Sequence, residues 1–128
     1  MAWMTPKTNW KATDTFEIED YARIVGNITY LRDLAEKMFV YIPALAAVPA
    51  TKTYSSMIYP SDLNGIENNI VLLDTATYKT GYQAKVWKAN QPTPTYADYN
   101  RLESEISELQ TKLQAQYDKV WVLPVTLG

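Results

Sequence analysis

The sequence predicts a mainly α protein: a three-helix bundle built on three related helical repeats, with extended arms and a few short strands. Three stretches begin with an aspartate, at Asp20, Asp62 and Asp98, and continue with apolar residues at steps of three, four and three. That spacing places the apolar side chains on one stripe of a helix, which needs a partner to cover it. The stretches also match one another position by position, as expected of a repeated structural unit.

A single domain over residues 1–128 is expected, because this length is close to the commonest domain size. The predicted parts are an N-terminal arm (1–15), helical repeats at about 16–39, 59–78 and 95–120, and an apolar C-terminal tail (121–128). An apolar fraction of 47% and a charged fraction of 20% are typical of a folded protein. The pattern leaves open whether the repeats pack within one chain or with repeats of neighbouring chains.

The first helix is predicted from about Ile18 to about Phe39, with Asp20 and its acidic neighbours near the positive end of the helix dipole. The second is predicted over about 62–78, with Ser61 as a plausible N-cap and Gly81 as a candidate stop. Before it, residues 51–59 are rich in Thr, Ser and Tyr, which favours an extended segment.

The third helix has the strongest pattern and is predicted to reach about Val120. Its start, Thr95 to Asp98, resembles a capping box. Residues 82–87, just before it, alternate aromatic or apolar with polar side chains and predict a short strand or an extended arm. The residues after the helix are apolar and almost uncharged, so we expect them to be covered rather than to lie in water.

Composition excludes several classes of function. The chain has no cysteine and no histidine, so it has no disulfide, no thiolate nucleophile and none of the commonest general bases or transition-metal ligands. The net charge of -2 gives no electrostatic footprint for nucleic acid. The longest apolar stretch, residues 38–49, is short and is broken by Pro43, so no membrane segment is expected. We therefore predict no enzyme and no cofactor.

The pattern Asp-x-Asn-Arg-(Ile/Leu)-Glu-x-x-Ile-x-x-Leu, preceded by a tryptophan and an aromatic residue, resembles repeats in small structural proteins of tailed phages and of prophages in Gram-positive bacteria. Those proteins are often associated with the tail, baseplate or fibre. The residues that carry the motif here are Asp20 and Arg23 in the first copy, Asp62, Asn64 and Glu67 in the second, and Asp98, Asn100, Arg101 and Glu103 in the third. The motif holds no catalytic residue, so the resemblance implies a virion building block.

The function expected from this resemblance is that of a non-enzymatic virion protein, made in the host cytoplasm, that binds copies of itself and other virion proteins. Apolar and aromatic residues outside the helical stripes are the predicted interface, since such side chains are enriched in subunit contacts. They are Trp3, Trp10, Tyr54, Tyr59, Tyr82, Trp87, Trp121, Val122, Leu123, Val125 and Leu127.

Other interpretations of the same residues remain open. Exposed aromatics also stack on sugars, so the alternative function is a carbohydrate- or receptor-binding module, with a host surface polysaccharide as its ligand. The charged motif residues are interpreted as structural: each Arg would pair with a nearby carboxylate and contribute a few tenths of a kcal/mol if exposed. Glu103, Glu105 and Glu108 are interpreted as a solvated helix face rather than as an acid-base pair or a metal site.

Overall fold

The computed structural model describes residues 3–52 and 58–122, with side chains as far as Lys119. It contains three α-helices: α1 (Ile18–Glu36), α2 (Pro60–Ala76) and α3 (Tyr96–Val122). Each helix is in contact with both of the others. The prediction of a mainly α fold with three packed helices is therefore confirmed, and the helices pack within one chain.

The aspartates at the helix starts make the same hydrogen bond in all three helices. Each carboxylate accepts a hydrogen bond from the backbone amide three residues earlier, which holds the chain as it enters the helix. The pairs are Asp20 with the amide of Glu17 (2.8 Å), Asp62 with that of Tyr59 (2.8 Å) and Asp98 with that of Thr95 (2.9 Å). Ser61 is not the N-cap that we predicted, because α2 begins one residue earlier at Pro60 and is capped at Tyr59.

The helix ends differ from the predicted ones by a few residues. α1 ends at Glu36 and α2 at Ala76, before the predicted Phe39 and Tyr78. Lys79, with φ 52°, rather than Gly81 is the first residue after α2 in the left-handed region, and its amide bonds back to the carbonyl of Asp74. α3 continues to Val122, so the first two residues of the predicted tail are helical. Residues 123–128 lie outside the described part of the chain.

The expected short strands are absent from the described residues, 3–52 and 58–122. Residues 82–87 form no strand because side chains on the helices take up their backbone groups. The side chain of Asn64 accepts a hydrogen bond from the amide of Trp87 (2.7 Å) and donates one to its carbonyl (2.9 Å). Arg101 donates to the carbonyl of Gln83 (3.1 Å). Of the predicted extended segment 51–59, residues 53–57 lie outside the described residues.

All three helices run in the same direction. Near their starts, Arg23 of α1 bonds Glu103 of α3. Just beyond the other ends, the hydroxyl of Tyr78 lies 2.6 Å from Gln116 of α3, and the ammonium of Lys37 lies 5.4 Å from the ring of Tyr117. Since starts meet starts and ends meet ends, each connection between helices has to return along the whole bundle.

The predicted apolar stripes form the core. Twelve of their side chains are buried: Tyr21, Ile24, Ile28, Leu31, Leu34, Ile66, Ile70, Leu73, Leu102, Ile106, Leu109 and Leu113. Leu63 and Tyr99, which begin the second and third stripes, are only partly buried. Full burial of one such side chain stabilises the fold by about 1.5 to 3 kcal/mol, so these stripes hold the three helices together.

The contact between α1 and α2 is closed by the connection that joins them. Gly65 of α2 faces this connection, and a Cβ added there would lie 2.6 Å from Cγ2 of Val48. That distance is well inside van der Waals contact. Glycine at this helical position therefore permits the close approach of Val48, at a cost of about 1 kcal/mol in helix propensity relative to alanine.

We predict that the effect of Gly65→Ala depends on residue 48. In a Val48→Ala background the clash is gone, and Gly65→Ala should stabilise the protein by up to about 1 kcal/mol through helix propensity. In the natural background the gain should be smaller or negative, because Val48 has to move. The free energies of unfolding of the four proteins, from denaturant titration, give this coupling. An equal effect of Gly65→Ala in both backgrounds would contradict the packing described.

Candidate functional site

The motif residues meet in two buried clusters, of which the first joins α1, α3 and the N-terminal segment. Its centre is Glu103, whose side chain is fully buried. Arg23 binds this carboxylate through two nitrogens, Nε to Oε1 (2.8 Å) and Nη2 to Oε2 (2.7 Å). The indole N–H of Trp10 donates to Oε2 (2.7 Å), and the amide of Lys7 donates to Oε1 (3.1 Å). The remaining nitrogen of Arg23 bonds Asp20 (2.8 Å).

The second cluster repeats this chemistry between α2, α3 and the segment after α2. Glu67 is 1% exposed and receives both Nη atoms of Arg101 at 2.7 Å. The indole N–H of Trp87 donates to Oε2 (3.0 Å), and the hydroxyl of Tyr82 donates to Oε1. In place of the backbone amide of the first cluster, this cluster uses a tyrosine.

Each of these glutamates has a full set of donors. A carboxylate has about four lone-pair positions, and Glu103 and Glu67 each accept four hydrogen bonds. No buried side-chain polar atom in the described part of the chain is left without a partner. A charge out of water is tolerated only when it is paired and bonded in this way. Both carboxylates are therefore held by the fold and are closed to a ligand.

The ionisation of the second cluster follows from the same contacts. Burial opposes ionisation of Glu67, but the hydrogen bonds from Arg101, Tyr82 and Trp87 outweigh it and lower the pKa of Glu67. The bond to Glu67 raises the pKa of Arg101. Burial, followed by the bond to Glu67, raises the pKa of Tyr82. At neutral pH the cluster is a stable ion pair and offers neither an acid nor a base.

Asparagine side chains on the helices hold the N-terminal segment and the two segments that connect the helices. Each amide accepts a hydrogen bond from one residue's N–H and donates one to the same residue's carbonyl, which is the pairing a neighbouring strand would offer. The four pairs are Asn27 with Met4 (3.0 and 2.8 Å), Asn64 with Trp87 (2.7 and 2.9 Å), Asn69 with Ala46 (2.8 and 3.2 Å) and Asn100 with Trp10 (2.7 and 3.0 Å).

The contact between α1 and α2 has no such cluster. At the motif positions of Arg and Glu it carries Gly65 and Val25. Both line a region where the connection brings in Val48, which fills the space over Gly65. At these motif positions the α1–α2 contact is therefore apolar, whereas the α1–α3 and α2–α3 contacts each contain an ion pair.

The predicted interface residues fall into three groups. Trp10 and Trp87 are buried against their own chain, at 4% and 6% exposure. Trp3, whose ring lies 5.5 Å from that of Tyr30, and Tyr82 are partly buried, whereas Tyr59 is 54% exposed. Tyr54, Leu123, Val125 and Leu127 lie outside the described residues, as do the side chains of Trp121 and Val122.

Two interpretations of the charged residues were incomplete or wrong. Glu103 does not lie on a solvated face as we expected, because it turns inward to Arg23 and Trp10; Glu108 is exposed and Glu105 partly buried. The local Arg23–Asp20 pair exists, but the main partner of Arg23 is on another helix. The tryptophans upstream of the motif could have indicated that the motif glutamates are buried acceptors, because a buried indole N–H needs an acceptor.

An aromatic pocket of about 410 Å³ opens where the N-terminal segment meets the start of α3. It is lined by Trp10, Phe16, Tyr96 and Tyr99, with Asp14 among the polar residues at its side. Phe16 and Tyr99 stack at 4.2 Å, and Tyr96 is 47% exposed. Tyr96 is therefore the most accessible aromatic side chain of this pocket.

Comparison with known protein families, curated proteins and solved structures finds no match to this chain. Among the described residues, no group of three or more Asp and Glu side chains is arranged to hold a metal ion. None of the three helices, over the residues described, is both long and apolar enough to cross a membrane. The function has to be argued from the contacts themselves.

We predict that Glu103→Gln destabilises the protein by about 3 kcal/mol, because partly buried Arg23 keeps only Asp20 as a charged partner and the new amide turns a donor toward other donors. Glu19→Gln, at an exposed position of α1, is the control and should change stability by less than about 0.5 kcal/mol. Denaturant unfolding of both variants measures the difference. Equal small losses would show that the first cluster does not hold the fold.

We predict that the protein loses the stability contributed by the second cluster when the pH is lowered. Because the pKa of Glu67 is lowered from 4.5, its contribution is complete above about pH 4.5 and is lost as the pH falls through the lower, folded value. Glu67→Gln should be less stable at pH 7 and should lose less stability on acidification. Free energies of unfolding between pH 2.5 and 7 test this, and parallel curves for the two proteins would contradict it.

Proposed function

We propose that this protein is a non-enzymatic structural subunit of a tailed phage or phage-like particle, associated with its tail, baseplate or fibre. In this proposal the three helices are related repeats, and the N-terminal arm and the C-terminal tail contact neighbouring subunits. Its partners are further copies of itself and other virion proteins, and its place is the virion.

The observation that carries the proposal is the use of the motif residues. The arginines, glutamates and tryptophans that define the motif are consumed in contacts inside the chain, and both central glutamates are buried and fully bonded. A motif that repeats for catalysis or ligand binding would leave at least one polar group directed at a cavity or at solvent. A repeated motif whose residues are used in contacts within the chain is what we expect of a structural subunit.

Exposed apolar side chains support subunit contact. Val40 is fully exposed and Tyr41 is 74% exposed, next to each other just after α1. Val86, before α3, is 72% exposed. Large apolar side chains on the outside of a folded chain are a usual feature of surfaces that bind other proteins.

We expect the purified protein to form a defined oligomer that persists on dilution, and Val40→Lys/Tyr41→Lys to weaken it. Both side chains are exposed, so the double variant should keep its helical circular dichroism and its melting temperature. Light scattering over a wide concentration range measures the mass of each protein. Asn68→Lys, at an exposed position of α2, is the control. A natural protein that is monomeric throughout would count against self-assembly.

The aromatic pocket favours a second candidate function, a carbohydrate-binding module. Stacking of a sugar ring on Tyr96 would place hydroxyls near Asp14, and the ligand class would be a polysaccharide of the host surface. The same pocket could serve a structural subunit at a particle tip, so the two functions are separable only by binding.

If the pocket binds polysaccharide, titration with a host wall polysaccharide should quench tryptophan fluorescence to saturation, because Trp10 lines the pocket. Tyr96→Ala should weaken the apparent affinity about tenfold or more, through loss of a ring face of the pocket. Tyr59→Ala removes a similarly exposed tyrosine outside the pocket and should leave the titration unchanged. A flat titration of the natural protein would exclude this function for the polysaccharide used.

A further inference from the structure

Two carboxyl groups and one hydroxyl meet where the end of α2 faces α3. The hydroxyl oxygen of Thr80 lies 2.8 Å from Oδ1 of Asp74 and 2.8 Å from Oε2 of Glu105. Both distances are those of hydrogen bonds, yet the hydroxyl has one proton and can donate to only one of the two acids. The other contact requires that an acid carry a proton and donate it to the threonine oxygen.

Asp74 is the acid that stays ionised. Besides the hydroxyl of Thr80, its carboxylate accepts the backbone amides of Thr80 (2.8 Å), Gly81 (3.1 Å) and Tyr82 (3.2 Å). Burial opposes its ionisation, but the bonds from Thr80, Tyr82 and Gly81 outweigh burial and lower the pKa of Asp74.

Glu105 has the opposite environment. The charged groups that face it are Asp74, at the end of α2, and Glu108, one turn further along α3, and both are acids. The one arginine of α3, Arg101, gives its guanidinium to Glu67, and no cation among the described residues forms an ion pair with Glu105. Burial raises the pKa of Glu105 to about 7; the hydrogen bond with Thr80 opposes this shift, and the proximity of Asp74 and Glu108 adds to it.

The position of Glu105 in the motif agrees with a neutral group. It stands seven residues after the starting aspartate of α3, where α1 and α2 have Asn27 and Asn69. Asn27 holds the N-terminal segment and Asn69 the segment between α1 and α2, each by donating one hydrogen bond and accepting another. A protonated carboxyl can also donate and accept, whereas a carboxylate can only accept.

We propose that Glu105 carries a proton in the native protein and donates it to Thr80, forming a proton-dependent latch that holds the segment after α2 against α3. This segment, residues 77–82, leads to Tyr82 and Trp87 of the second cluster. Ionisation of Glu105 places a second negative charge beside Asp74, and the single hydroxyl proton of Thr80 cannot serve both carboxylates, so the latch opens.

The direction of the pH effect follows from the site. The native state binds the proton of Glu105 more tightly than the unfolded chain does, so the contribution of the latch is complete below the ordinary value of 4.5. It is lost as the pH rises through about 7, and it changes no further above that range. Stability from Glu67 changes in the opposite sense and at lower pH, so the two effects are separable.

Carbon-13 NMR of the intact, glutamate-labelled protein tests the proposal directly. The carboxyl resonance of Glu105, assigned by its absence in Glu105→Gln, should titrate with a midpoint near 7. Protection of the amides of Thr80, Gly81 and Tyr82 from hydrogen exchange should fall over the same range. A midpoint near 4.5 would overturn the proposal, as would amide protection that does not follow the titration.

Variants give a second readout. Glu105→Gln keeps a donor and an acceptor, so these three amides should stay protected at all pH values between 5 and 8. Asp118→Asn, at an exposed carboxylate of the same helix, should keep the natural pH response. A pH response that survives in Glu105→Gln would assign it to another group and overturn the latch. If Glu105→Gln fails to fold, Glu105→Asp locates the resonance and the natural protein's titration decides.

Discussion

The fold depends on two carboxylates that are kept ionised inside the protein. Glu103 and Glu67 lie almost without exposure between helices, and each is bound by an arginine and by an indole from other parts of the chain. A buried ion pair of this kind adds little to stability over an apolar contact, but losing one partner is costly. The two ion pairs tie α1 and α2 to α3 and, through the indoles, fix where the two tryptophan-bearing segments lie.

The same requirement explains how one chain keeps three helices parallel. Antiparallel neighbours need short turns, whereas parallel ones need connections that return along the bundle. Those connections would expose backbone groups over their whole length. Asparagines on the helices bind these connections instead, Asn69 the one after α1 and Asn64 the one after α2, and the buried indole of Trp87 fixes the second connection to Glu67. The helices thus serve as the hydrogen-bonding surface that a sheet would otherwise supply.

The sequence alone predicted the helices and their core, because apolar residues at steps of three and four lie on one face of an α-helix. It also located the aspartates at the helix starts, since that contact is local. It failed where a contact joins distant residues. Glu103 belongs by spacing to an outward row of acids, and nothing local shows that Arg23, eighty residues earlier, reaches it. Residues 82–87 alternate like a strand, but the alternation reflects a segment lying on helices.

The contacts inside the chain join the three helices, the N-terminal segment and the segment after α2 into one packed unit. Both clusters require that the indoles of Trp10 and Trp87 be bound to buried carboxylates. Hydrogen exchange of the indole N–H protons, followed by NMR, tests this most directly. The protons of Trp10 and Trp87 should exchange as slowly as the amides of the helical core. Exchange of either as fast as in a free indole would contradict the clusters described here.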